Sequence, residues 1–174
     1  MELFEAIAKR YSYRGEFTDQ KVPEEDLVHI VQAGIQAPSG KNSQTTEFVI
    51  ITDKADIEAI AGIIGYKYLK TAPALIAVFS DTSPTMSGYS FYREDYAAAV
   101  ENILLAVTAY GYSSLWIDGA LRSENRIERI SKLLNAPADR LLTVVLPVGK
   151  AVNEGVQNSK KPFGERAWFG RYGS

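Results

Sequence analysis

"ALIAVFS", Ala74–Ser80, decides how this chain folds. A strand sends successive side chains to opposite faces, so an unbroken apolar run reads as a strand covered on both sides. Such a strand sits inside a sheet, and its neighbours must be sought along the chain. "EFVIIT" (Glu47–Thr52) precedes it, and "SSLWI" (Ser113–Ile117) and "LLTVVLPVG" (Leu141–Gly149) follow; each is short and rich in β-branched or aromatic residues. Between them lie helical periods. Glu2–Lys9 carries Leu3, Phe4 and Ile7 at helical spacing. A second helix opens near Pro23 with Glu24, Glu25 and Asp26 in its first turn, and presents Leu27, Ile30, Val31 and Ile35. "DKADIEAIAGIIG" (Asp53–Gly65) starts at a capping aspartate. "REDYAAAVENILLAVTAYG" (Arg93–Gly111) is the longest helix, and its alanine-rich faces predict deep burial. Ser123 is expected to cap "SENRIERISKLLN". Strands alternating with helices give α/β or α+β with one central sheet.

The chain has 174 residues, enough for one domain with a real core. A net charge of -2 gives no general attraction to nucleic acid or to an anionic membrane, so any anion site must be local. No apolar run approaches the ~20 residues of a membrane span. The N-terminus has acidic residues early and lacks the basic start of a signal peptide, so the protein is expected to be cytoplasmic. Cysteine is absent and His29 is the only histidine. That excludes disulfides, a thiol nucleophile and a Cys/His zinc site. A Ser-His-Asp triad would need His29, which falls on a helix face. If the protein is an enzyme, its hard chemistry belongs to a bound cofactor, and no metal is expected.

Two stretches bear on that cofactor. "GIQAPSGKNS" has the composition of a phosphate loop but fails as one. Gly34 and Gly40 are separated by five residues, Asn42 stands where Ser or Thr would hold magnesium, and a helix rather than a strand precedes it. "AKRYSYRGEF" (Ala8–Phe17) alternates Arg10, Ser12 and Arg14 with Tyr11 and Tyr13. It reads either as an edge strand or as a clamp in which two guanidinium forks and a hydroxyl converge on an anion.

"RYSYR", "APSGKNSQ", "TAPALIAVF", "GYSSLWIDG" and "SKKPF", in this order and spacing, resemble the nitroreductase family of flavoproteins from about residue 2 to residue 165. The resemblance implies an α+β fold with a central mixed or antiparallel sheet flanked by helices. Residues 1–174 form one domain, and the aromatic segment from about 151 to 174 packs on the partner of an intertwined homodimer. Each FMN lies at the subunit interface. NADH or NADPH is the electron donor, small molecules such as nitroaromatics and quinones are the acceptors, and the kinetics are ping-pong.

The resemblance also assigns residues. Arg10 and Arg14 go to the FMN phosphate and the polar edge of the flavin, and Ser12 to the phosphate or ribityl chain. Pro38 and Ser39 shape a turn against the ring of the partner's FMN, and Asn42 meets ribityl hydroxyls or ring carbonyls. The family often continues Gln-Pro-Trp where this chain has Gln44-Thr45-Thr46, which alters the nearby pocket. In "WIDG" the main-chain N–H at Asp118 points toward flavin N5, and Gly119 admits close approach. Lys67, with Lys70 as rival, approaches the N1–C2 edge, where a cation favours the charge of the reduced ring. Lys160, or Lys161, meets the phosphate. Tyr89, Phe91 and Tyr92 belong to a short covering segment and either stack on a planar acceptor or pack at the interface. Two other functions fit these residues: an FMN carrier or sensor without turnover, and a different flavin chemistry on the same fold, such as reductive dehalogenation.

Overall fold

A computed structural model describes residues 1–85 and 87–173; Met86, in the expected covering segment, and Ser174, at the end of the aromatic one, lie outside the described residues. The elements run α1 (Leu3–Lys9), α2 (Glu24–Ile35), β1 (Thr46–Ile51), α3 (Lys54–Ile64), β2 (Ala74–Asp81), α4 (Tyr92–Ala109), α5 (Arg126–Leu133) and β3 (Arg140–Val148). The strands form an antiparallel sheet in the order β1-β2-β3, so the fold is α+β.

β2 occupies the middle, as its composition predicts. Leu75, Ala77 and Phe79 point into one core with Ile57, Ile60 and Ile64 of α3 and Ile130 of α5. Ala74, Ile76 and Val78 point into the other, against α2 and α4. Each large aliphatic side chain buried this way contributes roughly 1.5–3 kcal/mol. Between β2 and β3 the register slips at Val78/Phe79. Thr143 is the extra residue, and its hydroxyl donates to the Val78 carbonyl at 3.0 Å. α3 begins where Asp53 accepts the N–H groups of Ala55 and Asp56 and ends at Gly65, whose φ of 87° suits only glycine well.

Two local expectations are corrected. "SSLWI" is not a regular strand: it touches β3 only through isolated bridges, Ser113 with Gly149 and Ile117 with Val145. The same register sets Leu115 opposite Pro147, which has no N–H to give, so the middle rung cannot form. The N-cap of α5 is Asn125 rather than Ser123, because Glu124 and Asn125 take left-handed backbone before the helix begins. α1 forms as expected, but of its residues only Ala6 is buried; Leu3, Phe4 and Ile7 face outward, Phe4 with 82% of its surface exposed. No helix among the described residues is long and apolar enough to cross a membrane.

Candidate functional site

The "RYSYR" segment leaves α1 and meets the frayed "SSLWI" strand. Ser12 bridges Ser114 in parallel, and the Tyr13 N–H donates to the Ser114 carbonyl at 2.9 Å. The alternation decides the two faces. Tyr13 is buried, edge-to-face with Phe17 at 5.2 Å and with Tyr11 at 6.2 Å. The Tyr11 hydroxyl shares a hydrogen bond with Ser113 Oγ at 3.0 Å. With the tyrosines inward, Ser12 and Arg14 are exposed and Arg10 is half-buried. Arg10 Nε lies 3.3 Å from Glu101 Oε1 on α4, while its two terminal nitrogens meet no partner among the described residues. Arg14 makes no ion pair among them either. Two guanidinium groups thus have uncommitted donors beside a free hydroxyl.

Other segments converge here. The Phe17 N–H donates to Thr71 Oγ1 at 2.8 Å, which ties the clamp segment to the 3-10 turn Lys67–Thr71. Tyr68 in that turn has its hydroxyl pKa raised by burial and by Tyr66, and the charge of Arg14 works in the opposite direction. Lys67 and Lys70 are both exposed. From the C-terminal side, Gln157 Nε2 donates to the carbonyls of Ile7 and Arg10 at 3.0 and 2.8 Å. Lys160 follows three residues later, within about 11 Å of chain. Lys161 is drawn to Glu165 at 3.7 Å, and Lys160 has no such partner among the described residues.

The parallel bridge also joins the clamp to the segment that leads into the "WIDG" turn. Asp118 follows Ser114 by four residues, about 13 Å of extended chain. The Asp118 N–H has no acceptor among the described residues, while its carboxylate takes Arg122 at 3.0 Å. Gly119 has no left-handed φ, and a Cβ there would meet no atom of the chain within 4 Å.

"APSGKNSQ" forms a compact loop ahead of β1. Lys41, Asn42 and Gln44 all have positive φ, 57°, 54° and 50°. Ser39 Oγ accepts the Gln44 N–H at 3.0 Å, and Pro38 and Asn42 are exposed. Phe91 packs on Gly40 so closely that a Cβ there would lie 2.4 Å from the ring. Tyr89 is exposed and lies 6.3 Å from Phe91. Tyr92, Tyr96 and Trp116 make a ladder of rings 6.3 and 6.2 Å apart, running from the covering segment to "WIDG". Tyr92, Arg93, Tyr96, Asp118 and Arg122 line a cavity of about 210 Å³.

Glu101, Gln157 and Asp95 were missed by sequence reasoning. Asp95 offered a signal: at helical spacing with Ala99 and Ile103 it falls on the apolar, buried face of α4. Glu101 and Gln157 offered none, since each looks like a solvated polar residue. Among the described residues no cluster of acidic and histidine side chains has metal-binding geometry.

The fold is thus an antiparallel α+β domain that carries, among the described residues, basic side chains and a main-chain N–H without partners. The sequence model of the Nitroreductase family matches residues 7–67 and 64–150. The chain belongs to the nitroreductase family. A protein of Methanothermobacter thermautotrophicus, named as a candidate NADH dehydrogenase/NAD(P)H nitroreductase, is 32% identical over 165 residues, covering 93% of this chain and 84% of its own. An iodotyrosine deiodinase of Thermotoga neapolitana is 29% identical over 175 residues, covering 86% and 89%. A crystal structure of a candidate nitroreductase from Desulfovibrio desulfuricans, in complex with FMN, superposes with a TM-score of 0.81 at 28% identity, covering 95% and 94%.

The donor set fits FMN. Forked guanidinium groups and a hydroxyl suit a dianionic phosphate. The orphaned N–H at Asp118, beside the open backbone of Gly119, suits the edge of a planar ring.

Proposed function

We propose that this protein is an FMN-dependent oxidoreductase that takes electrons from NADH or NADPH and passes them to a small planar acceptor, a nitroaromatic, a quinone or a similar molecule. The observation that carries the reading is the Ser12–Ser114 bridge, which joins the arginine clamp to the segment leading into a turn whose Asp118 N–H has no acceptor among the described residues. Arg10, Ser12, Arg14 and Lys160 would hold the phosphate. The Asp118 N–H and Gly119 would orient the ring at N5, and Lys67 would stand at its N1–C2 edge. When bound, FMN supplies hydride transfer at N5, and no protein nucleophile is required. Donor and acceptor would use one open pocket in turn, with ping-pong kinetics, and Tyr89, Phe91 and Tyr92 would cover it.

The site is completed by a second copy of the chain, which brings Pro38, Ser39 and Asn42 of its own loop. Two exposed apolar surfaces among the described residues support a homodimer. One is the outward face of α1. The other is the C-terminal segment, where Phe169 is 87% and Tyr172 90% exposed. Exposed apolar area of this kind is characteristic of an interface.

The test is direct. Purified protein is supplemented with FMN, desalted and examined for flavin absorbance, then mixed anaerobically with NADH and with NADPH. Retained absorbance that bleaches with either donor supports the reading, and a colourless protein removes it. A flavin that is retained but never bleached favours a carrier or sensor. The likeness to iodotyrosine deiodinase supports a second reading, reductive dehalogenation, which would show as halide release from a halogenated phenol.

A further inference from the structure

The loop between α2 and β1 is held in a costly shape by a residue that no part of the flavin reading uses. Asp95, in the first turn of α4, is 3% exposed, one of the few buried polar residues among those described. Its Oδ1 accepts the Gly40 N–H at 2.7 Å and its Oδ2 accepts the Thr45 hydroxyl at 2.7 Å. The two oxygens therefore grip both ends of the Gly40–Thr45 turn. Between those grips stand Lys41, Asn42 and Gln44, three non-glycine residues with left-handed backbone. Only asparagine among them visits that region with any ease, so the turn is not the conformation this sequence would choose alone. Strain of this kind persists only when the surroundings over-determine it. The bonds inside the turn (Asn42 N–H to the Ser39 carbonyl, Ser43 N–H to the Gly40 carbonyl) are local and exposed, and would form in many shapes. Asp95 joins the turn to the core, and Phe91 presses on Gly40 from the same helix end.

We propose that Asp95 is a positioning residue for the cofactor: by fixing Gly40 and Thr45 it aims Ser39 and Asn42 at the flavin. The proposal rests on the FMN reading above. Both hydrogen bonds have a carboxylate acceptor and are short, the strong kind. Their loss frees the turn to relax toward right-handed backbone, which swings the Asn42 side chain away from its present direction.

The experiment compares Asp95→Ala, Asp95→Asn and Thr45→Val with the parent protein. The first measurement is hydrogen exchange of the apoprotein at residues 40–46, and the second is FMN affinity by titration. Asp95→Ala is expected to speed exchange in the turn while β2 and β3 stay protected, and to weaken FMN roughly 10- to 100-fold. Thr45→Val removes one grip and should fall between parent and Asp95→Ala, with no change of core volume at Asp95. Asp95→Asn should recover most of the affinity, because its amide oxygen still accepts from Gly40 and its amide nitrogen can donate to Thr45 Oγ1. Unaltered FMN affinity in Asp95→Ala, in a protein that binds flavin, overturns the proposal alone. Asparagine as damaging as alanine also overturns it, since the charge and not the grip would then matter. A parent protein that takes up no FMN overturns the flavin reading and the proposal together.

Discussion

Replacing Arg10 tests the clamp more sharply than any other change, because the residue has two partners of opposite meaning. Its Nε faces Glu101 at 3.3 Å, and the side chains are 21% and 48% exposed. A pair so open to water is worth about 0–1 kcal/mol. Its terminal nitrogens meet no partner among the described residues, and a charge-assisted contact from them to a phosphate is worth roughly 1.5–3 kcal/mol. Arg10→Ala should therefore weaken FMN by about 10- to 100-fold, and toward the upper figure, because it strands the Glu101 carboxylate near the phosphate. Arg14 pairs with no carboxylate among the described residues, so Arg14→Ala should fall toward the lower figure. Glu101→Gln should change affinity by less than about fivefold, the most that an exposed pair can supply. The double variant R10A/E101Q should bind FMN more tightly than R10A, since the stranded charge is gone. Apoprotein titrated with FMN and followed by flavin fluorescence gives each constant, with circular dichroism to confirm the fold. Parent-like affinity in both arginine variants would return "RYSYR" to an ordinary edge strand. A double variant no better than R10A would refute the role given to Glu101.

Three further outcomes are expected. Asp118→Ala keeps the main-chain N–H and should retain most NAD(P)H-dependent flavin reduction, whereas Asp118→Pro removes that N–H and should slow it far more; stopped-flow rates per bound flavin decide, and equal damage would shift the role to the carboxylate. Deleting residues 163–174 should weaken the dimer in sedimentation runs, and a full-length protein that is monomeric with FMN bound contradicts a two-chain site. Tyr112 is buried and donates to Asp26 at 2.6 Å; burial first, then Asp26, pushes its pKa up to about 12. The folded state therefore holds this proton more tightly than the unfolded chain, whose tyrosine titrates near 10. The resulting stability is full below about pH 10 and is lost as pH rises toward 12. Tyr112→Phe should abolish the latest-titrating tyrosine in an alkaline absorbance titration and flatten the stability loss across that window.

Much of the fold is legible because its signals are local. β2 announces its place through apolar residues on both faces, and α3 through Asp53 and Gly65. "RYSYR" shows its two faces by alternation, and the structure turns Tyr11 and Tyr13 inward and Ser12 and Arg14 outward. The failures have another cause. "SSLWI" has every property of a strand, and what breaks its pairing is Pro147, more than thirty residues away. Leu3, Phe4 and Ile7 have a helical period, but a period says only that a face is apolar, not what covers it. Asp95 reads as a favourable acid in a first helical turn, and nothing in its neighbourhood reveals that Gly40 and Thr45 will meet it fifty residues back.

That last case shows how a chain without cysteine, and with one histidine, can be built for demanding chemistry. Its side chains need not react; they need to stand still. α4 supplies much of the stillness. Asp95 grips the Gly40–Thr45 turn, Glu101 orients Arg10, and Asn102 donates to the Ala33 carbonyl near the end of α2. Asp95 and Glu101 stand six positions apart, about 9 Å along the axis. If the turn serves the partner's flavin while Arg10 serves its own, one rigid helix fixes elements of two sites. The helix is well placed to do so, because Val100, Ile103, Leu104 and Val107 are buried against the sheet that the whole domain is built on. In a mixed dimer of one parent and one substituted chain, a change at either polar residue should therefore register at both flavins. A mixed dimer in which the substituted chain's turn is disturbed yet one of the two sites is untouched would show that the helix transmits nothing between them.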